Sequence, residues 1–214
     1  MRRTLIICSA ALLLLSCEER RYTYPPPSES PMAPQPSPRP SPPRVGYIAP
    51  TPAPKSVKPL HVVLTSQNVG GYMDGEEHDL RVALRGSGVG VARPGDAMTL
   101  YLRDDMLFLA NSSAVSPHGA QVLSAIAAVT QRYDATILSV NGYTDASAPP
   151  DRAVVMSQER ADAVAQALIA SGVDKPRIAV HALGAAHPKV PTGPGISETR
   201  NRRVEIVITP KMQA

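Results

Sequence analysis

Two side chains of opposite charge stand fifteen residues apart in a setting suited to binding: Asp145, just past an apolar run at 137–141, and Arg160, inside a stretch of helical periodicity. A strand-loop-helix unit returns the chain to the end of its strand, so the carboxylate and the guanidinium can approach each other. Such a pair serves either as a structural salt bridge or as a two-pronged receptor, the Asp accepting from a cation and the planar Arg donating two bonds to a carboxylate. Spacing alone leaves both open. Catalysis has no comparable constellation. His61, His78, His118, His181 and His187 are scattered, and no GxSxG elbow is present. Glu76-Glu77-His78-Asp79 lacks HExxH spacing, and its neighbours do not share one helix face. Gly86-Ser87-Gly88-Val89-Gly90 is not followed by the GK[ST] of a phosphate loop. No enzyme activity, metal or cofactor is expected.

The elements that must position the pair are legible from periodicity. Glu76 to Arg85 reads as a short helix after a Gly-rich, polar stretch at 66–75. Val89–Ala92 and Met98–Leu102 flank Arg93-Pro94-Gly95-Asp96, a hairpin turn in which Pro fixes φ and Gly permits positive φ. Ser116-Pro117 is an N-cap followed by proline at the first helical position, and Val122, Ile126, Val129 and Tyr133 continue at helical spacing, giving a helix over 117–133. Ile137 to Asn141 reads as a buried strand. Asp151 is placed to cap a second helix, with Val154, Ala161, Val164 and Leu168 inward and Gly172 as its stop. Ile178, Val180 and Ala182, then Val204, Ile206 and Ile208, alternate as strands. The order β-α-β-α-β-β predicts an α+β two-layer sandwich with helices on one sheet face.

Only part of the 214 residues can build that core. Fourteen of the 23 prolines lie between Pro25 and Pro59, in a stretch with few large apolar side chains. It buries too little to offset the entropy of ordering it and reads as a disordered, polyproline-rich linker. At ~3.1 Å per residue, about forty residues would reach on the order of 100 Å. The formal net charge is +4, yet residues 61–214 hold 14 Lys+Arg against 15 Asp+Glu. With no Trp and few aromatics there, neither a basic patch nor a stacking platform is available, so nucleic acid is not an expected partner. Arg2 and Arg3, apolar Leu5 to Leu15 and small Ser16 form a signal segment, too short to span a ~30 Å hydrocarbon layer. Cys8 would leave with it, so no thiol but Cys17 would remain in the mature chain.

Three short signatures carry a family resemblance: Gly142-Tyr143-Thr144-Asp145, Ser157-Gln158-Glu159-Arg160-Ala161 and Asn201-Arg202-Arg203-Val204-Glu205-Ile206. With Leu107-Phe108, Ser113-Ala114, Gly184 and Pro188, their order and spacing over roughly 98–208 resemble the OmpA-like peptidoglycan-binding domain. The resemblance implies that Asp145 and Arg160 bind the diaminopimelate of the wall peptide. It implies that main-chain groups near Phe108 and Thr144 complete the pocket and that Arg203 borders it. The zwitterionic free end of meso-diaminopimelate suits such a pair, whereas a lysine-type wall would leave the arginine unmatched. The chain departs from the family pattern at Ala148, Pro149-Pro150, Arg152-Ala153 and Ala185. The binding loop over 146–153 is therefore expected to alter wall affinity.

Leu14-Leu15-Ser16-Cys17 resembles a bacterial lipobox, which implies acylation of Cys17, and Glu18 after it implies sorting to the outer membrane with the domain facing the periplasm. The expected organisation is thus a signal peptide at 1–16, a lipidated Cys and linker at 17–60, a pre-domain segment with a short helix and hairpin at 61–97, and an OmpA-like domain at 98–214. The implied function is tethering of the outer membrane to peptidoglycan. The alternative is a structural subunit of an envelope-spanning secretion machine, for instance of type IV, that docks protein partners through the same fold.

Overall fold

Strand alternation builds the centre of the molecule, which a computed structural model describes for residues 58–212. The expected signal segment, Cys17 and most of the linker lie outside the described residues. Five strands, β1 (Gly90–Ala92), β2 (Met98–Arg103), β3 (Thr136–Tyr143), β4 (Ile178–Ala182) and β5 (Arg203–Pro210), form one sheet in the order β1-β2-β5-β3-β4. The β3/β4 pair is parallel and the rest are antiparallel. In register, Leu100, Ile206 and Val140 form a row that is fully buried, whereas the next row, Tyr101, Glu205 and Asn141, is half-buried on the other face. Helices cover the first face: α1 (Val69–Ala83), the single turn α2 (Asp104–Leu107), α3 (Pro117–Arg132) and α4 (Pro150–Ala170). This is the α+β sandwich with the expected β-α-β-α-β-β order from β2 onward.

Helix ends show where local chemistry prevailed and where packing did. The Ser116 side chain accepts from Gly119 N at 2.9 Å, and Pro117 occupies the first turn of α3, as its sequence predicts. Helix α4 starts one residue before the expected Asp151 cap. Pro150 supplies the helical φ and has no N–H to satisfy, and Asp151 sits in the first turn without a capping bond. Helix α1 begins at Val69 rather than Glu76, so Gly70, Gly71 and Gly75 are helical. Each glycine costs about 1 kcal/mol relative to Ala in a helix interior. Burial of Val69, Tyr72, Met73 and Leu80 against the domain offsets this, with roughly 1.5–3 kcal/mol for each large apolar side chain. Tyr72 meets Tyr133 edge-on, ring centroids 5.2 Å apart, and a Cβ on Gly75 would press on the Tyr133 hydroxyl.

The segment at 61–97, expected ahead of the domain, therefore shares its core. Leu64, Met73, Leu80 and Leu84 belong to the same buried cluster as Leu123, Ile126 and Ile206, and β1 extends the sheet. The chain reaches the domain at one pole. Leu60 N donates to Arg132 O at 2.8 Å, and Leu64 bridges Met212 beyond the end of β5. Strand β3 starts beside this pole and runs eight residues, about 25 Å, to the opposite one.

Candidate functional site

Three segments meet at that opposite pole because β5 runs antiparallel to both its neighbours. The C-terminal ends of β2 and β3 lie beside the N-terminal start of β5, with Arg103, Arg203 and Tyr143 in one register row. Past them, α2 with the loop at 109–113, Asp145 and Ser147 of the turn at 144–147, and Ser197 with Arg202 line a cleft of about 880 Å³. Helix α4 adds a further wall through Arg152, Met156, Glu159 and Arg160. It packs so closely on β3 that a Cβ on Gly142 would overlap the Ser157 carbonyl and touch Ala161. The Ser157 hydroxyl, donating to Val154 O at 2.8 Å, accepts from Gly184 N at 3.0 Å and ties α4 to the loop after β4.

Asp145 and Arg160 both line this cleft, but each is bonded to another residue of opposite charge. Asp145 is 3% exposed. It accepts from Ser147 N (3.3 Å), the Ser147 hydroxyl, Ser197 Oγ (3.0 Å), Glu198 N (3.0 Å) and Arg202 Nη1 (2.7 Å). Burial pushes its carboxyl upward, but the bonds from Ser147, Arg202 and Ser197 outweigh burial and hold it at about 2. Asp145 is thus ionised throughout the physiological range.

Arg160 is 7% exposed and pairs with Asp104, Nε to Oδ1 at 2.9 Å and Nη2 to Oδ2 at 3.3 Å. Its Nη1 is buried and has no hydrogen-bond partner. The ring of Phe108 lies under the guanidinium, 5.8 Å from Cζ to centroid. Asp104 also faces Arg202 Nε at 3.6 Å, so the charges alternate Arg160, Asp104, Arg202, Asp145 across the cleft. Burial raises the Asp104 carboxyl above its ordinary value, with Arg160 and Arg202 opposing it.

The other expected residues divide. Phe108 lines the cleft. Thr144 is buried behind it, its N–H donating to Gly184 O at 2.8 Å and its hydroxyl to Asp145 O at 3.2 Å. Arg203 is not at the cleft. It points to the outer face of the sheet, over the Tyr143 ring at 3.8 Å, with Nε on Glu205 Oε1 at 2.7 Å and Nη2 on His187 O at 3.0 Å. The period of two explains this displacement: Arg202, one residue earlier, faces the cleft. Asp104, Ser147, Ser197 and Arg202 went unassigned in the sequence. Strand alternation carried the signal for Arg202, and the acidic pair directly after β2 carried one for Asp104. Cys17 lies outside the described residues.

The atypical loop gives the site a second feature. Arg152 joins the cleft wall, while Ala146, Pro149, Pro150, Val154, Gly184 and Pro194 line an adjoining apolar groove of about 650 Å³. Among the described residues, no three His, Cys, Asp or Glu side chains are grouped to hold a metal ion, and no helix is long and apolar enough to cross a membrane.

Comparison with known proteins agrees with this architecture. Residues 107–202 match the OmpA family. Over 142 residues, 66% of this chain and 65% of the relative, the sequence is 42% identical to "Probable lipoprotein YiaD" of Escherichia coli (strain K12). Over 98 residues, 46% of this chain and 30% of the relative, it is 30% identical to peptidoglycan-binding protein ArfA of Mycobacterium tuberculosis (strain ATCC 25618 / H37Rv). The chain therefore spans less than two thirds of the length of these relatives. Among solved structures, the cell wall anchor of the T6SS from Pseudomonas aeruginosa superposes with a TM-score of 0.53 at 26% identity, covering 61% of this chain and 96% of that one. The periplasmic domain of Helicobacter pylori MotB (residues 90–256) shares the fold, with a TM-score of 0.52 at 24% identity over 60% of this chain and 83% of that one. Residues 107–202 thus match the OmpA family within a chain that is similar to a bacterial lipoprotein and to peptidoglycan-binding proteins.

Proposed function

We propose that this protein is an outer-membrane lipoprotein that grips diaminopimelate-type peptidoglycan non-covalently and so holds the membrane to the wall. The observation that carries the reading is Arg160 Nη1, a buried donor in the cleft wall with no acceptor. Leaving a buried donor unpaired costs roughly 1–3 kcal/mol, more when it is charged. A ligand carboxylate removes that cost. The free end of meso-diaminopimelate bears a carboxylate and an ammonium on one carbon, and the cleft offers guanidinium and carboxylate groups in alternation to meet both. Binding is a matter of charge and geometry, with no bond made or broken. The anchor rests on Cys17 within its lipobox-like run and on the Pro-rich linker. Arrival of the chain at the pole opposite the cleft suits a domain strung between two layers.

Purified sacculi test the reading. Wild-type protein is expected to cosediment with diaminopimelate-type sacculi and not with lysine-type ones, and Arg160→Ala to lose at least about tenfold in retention. Equal retention of wild type, Arg160→Ala and Asp145→Ala refutes the site. The anchor has its own test: Cys17→Ser is expected to leave the membrane fraction and lose palmitate label.

A second reading, a wall-anchoring subunit of an envelope-spanning machine, is favoured by the likeness to the cell wall anchor of the T6SS, 96% of whose chain is covered. In-cell crosslinking separates the two. Recovery of wall fragments alone supports the tether, and stoichiometric recovery of secretion-complex proteins supports the machine.

A further inference from the structure

The two carboxylates of the cleft are not equivalent. Asp145 is saturated: its Oδ1 is held by Ser147 and its Oδ2 by Ser197, Glu198 N–H and Arg202. An incoming ammonium must dislodge one of these donors, and the groups that supply them also hold the turns at 147 and 197–202 together. Asp104 is less committed. Its Oδ1 lies 2.9 Å from Arg160 Nε, yet neither that contact nor any other meets hydrogen-bond geometry at this oxygen. Its Oδ2 takes a long 3.3 Å bond from Arg160 and a 3.6 Å ion pair with Arg202. Opposite it, Arg160 Nη1 is the buried donor without a partner. The under-bonded acceptor and the under-bonded donor therefore belong to one ion pair.

We infer that Asp104 is a specificity-determining residue of the site: it holds the guanidinium edge that a ligand carboxylate would take, and it receives the ligand's ammonium when it yields that edge. This rests on the reading of the cleft as a receptor for a zwitterionic stem-peptide end. Two cations and two anions already alternate there, and a zwitterion adds one of each, so every displaced charge finds a new partner. A ligand with the carboxylate alone evicts Asp104 from Arg160 and offers no cation in return, stranding a part-buried carboxylate. One with the ammonium alone leaves Arg160 and Asp104 paired and must approach Asp104 against the guanidinium charge that already lies 2.9 Å from its Oδ1. The cleft thus demands both charges on one carbon, and the demand originates in Asp104 more than in Asp145.

Three stem tripeptide amides, L-Ala-γ-D-Glu-X-amide with X meso-diaminopimelate, lysine or 2-aminopimelate, present both charges, the ammonium alone or the carboxylate alone. Titrated calorimetrically into the full-length protein, the first is expected to bind at least about tenfold more tightly than either other. In Asp104→Asn the diaminopimelate peptide is expected to weaken about tenfold while the carboxylate-only peptide tightens, because Arg160 is released from its internal partner. Asp104→Ser, which keeps a small polar residue at the start of α2, is expected to show the same narrowing. A ratio between the two peptides unchanged in both variants overturns the inference and leaves the cleft assignment standing. So does a wild-type protein that binds the carboxylate-only peptide as tightly as the zwitterion. Binding of none of the three by wild type removes the cleft assignment and the inference together.

Discussion

Two arginines at opposite ends of β3, Arg177 half-buried and Arg160 buried, show how one side chain becomes a rivet in one setting and keeps an unpartnered donor in another. Arg177, in the 3₁₀ turn before β4, donates from Nε to Thr136 O, from Nη1 to Thr130 O and from Nη2 to Tyr133 O, each at 2.8 Å, and also to Thr136 Oγ1 at 2.9 Å. Each nitrogen of that guanidinium donates within the chain, to three carbonyls and one hydroxyl in all, which fixes the end of α3 to the start of β3. Arg160, at the cleft end, meets only Asp104 and keeps Nη1 unpartnered. Each pole also contains a group short of bonds, and the remedies differ. At the Arg177 pole it is Glu76, fully buried with both oxygens unpartnered, which burial pushes up to about 8 against the pull of Arg177. A carboxyl can relieve its burial by taking a proton. A guanidinium cannot lose its charge at any physiological pH, so Arg160 must be supplied with an acceptor.

The two poles are expected to respond differently to substitution. Arg177→Met is expected to have the largest effect, a loss of roughly 3–5 kcal/mol in urea unfolding, since it takes a donor from the carbonyls of Thr130, Tyr133 and Thr136 and removes the positive charge that faces Glu76. Arg160→Met should cost less, roughly 1–3 kcal/mol, because Nη1 was already unpaired and the part-buried Asp104 keeps Arg202, while sacculus retention is expected to be abolished; a loss equal to that of Arg177→Met would erase the distinction between the two arginines.

Glu76 comes next. A folded-state value raised to about 8 means the native protein holds a proton that the unfolded chain gives up near 4.5, so stability is greatest below that and falls as pH rises through 8. The fall is on the order of a few kcal/mol. Glu76→Gln is expected to flatten it, read as the difference in urea midpoint between pH 5 and pH 8. Gly142→Ala, which forces β3 and α4 apart, is expected to cost roughly 1–3 kcal/mol and to weaken wall binding as well by shifting Arg160. Arg203→Lys is expected to have the smallest effect on wall binding. It sits over Tyr143 away from the cleft, so sacculus retention should change by less than about twofold.

How much of this was legible depended on whether local or tertiary forces set each feature. The strands at 137–141, 178–182 and 204–208 and the helix after Ser116-Pro117 follow period and capping chemistry, and they stand where the sequence puts them. The start of α1 does not, because three glycines argue locally against a helix that only Tyr133 and the core make favourable. Asp145, Arg160 and Phe108 were readable as cleft residues through the family signatures. Their actual partners were not, since Asp104 is 56 residues from Arg160 and Arg202 is 57 from Asp145, and the β2-β5-β3 register brings them together. Arg203 faces outward at the start of β5 while Arg202, just before the strand, turns to the cleft, a difference of side that two adjacent arginines do not reveal in sequence.

The placement of residues 58–64 and of the cleft at opposite ends of β3 and β5 has a mechanical consequence. Tension between the arriving chain and a ligand held at the cleft runs along these strands, at right angles to the hydrogen bonds of the eight registered pairs from Thr136↔Pro210 to Tyr143↔Arg203. Bonds loaded in shear share the strain and must fail together, whereas a pull across the same ladder would open them one after another. The sheet is thus oriented to transmit force from one end of the domain to the other without unzipping.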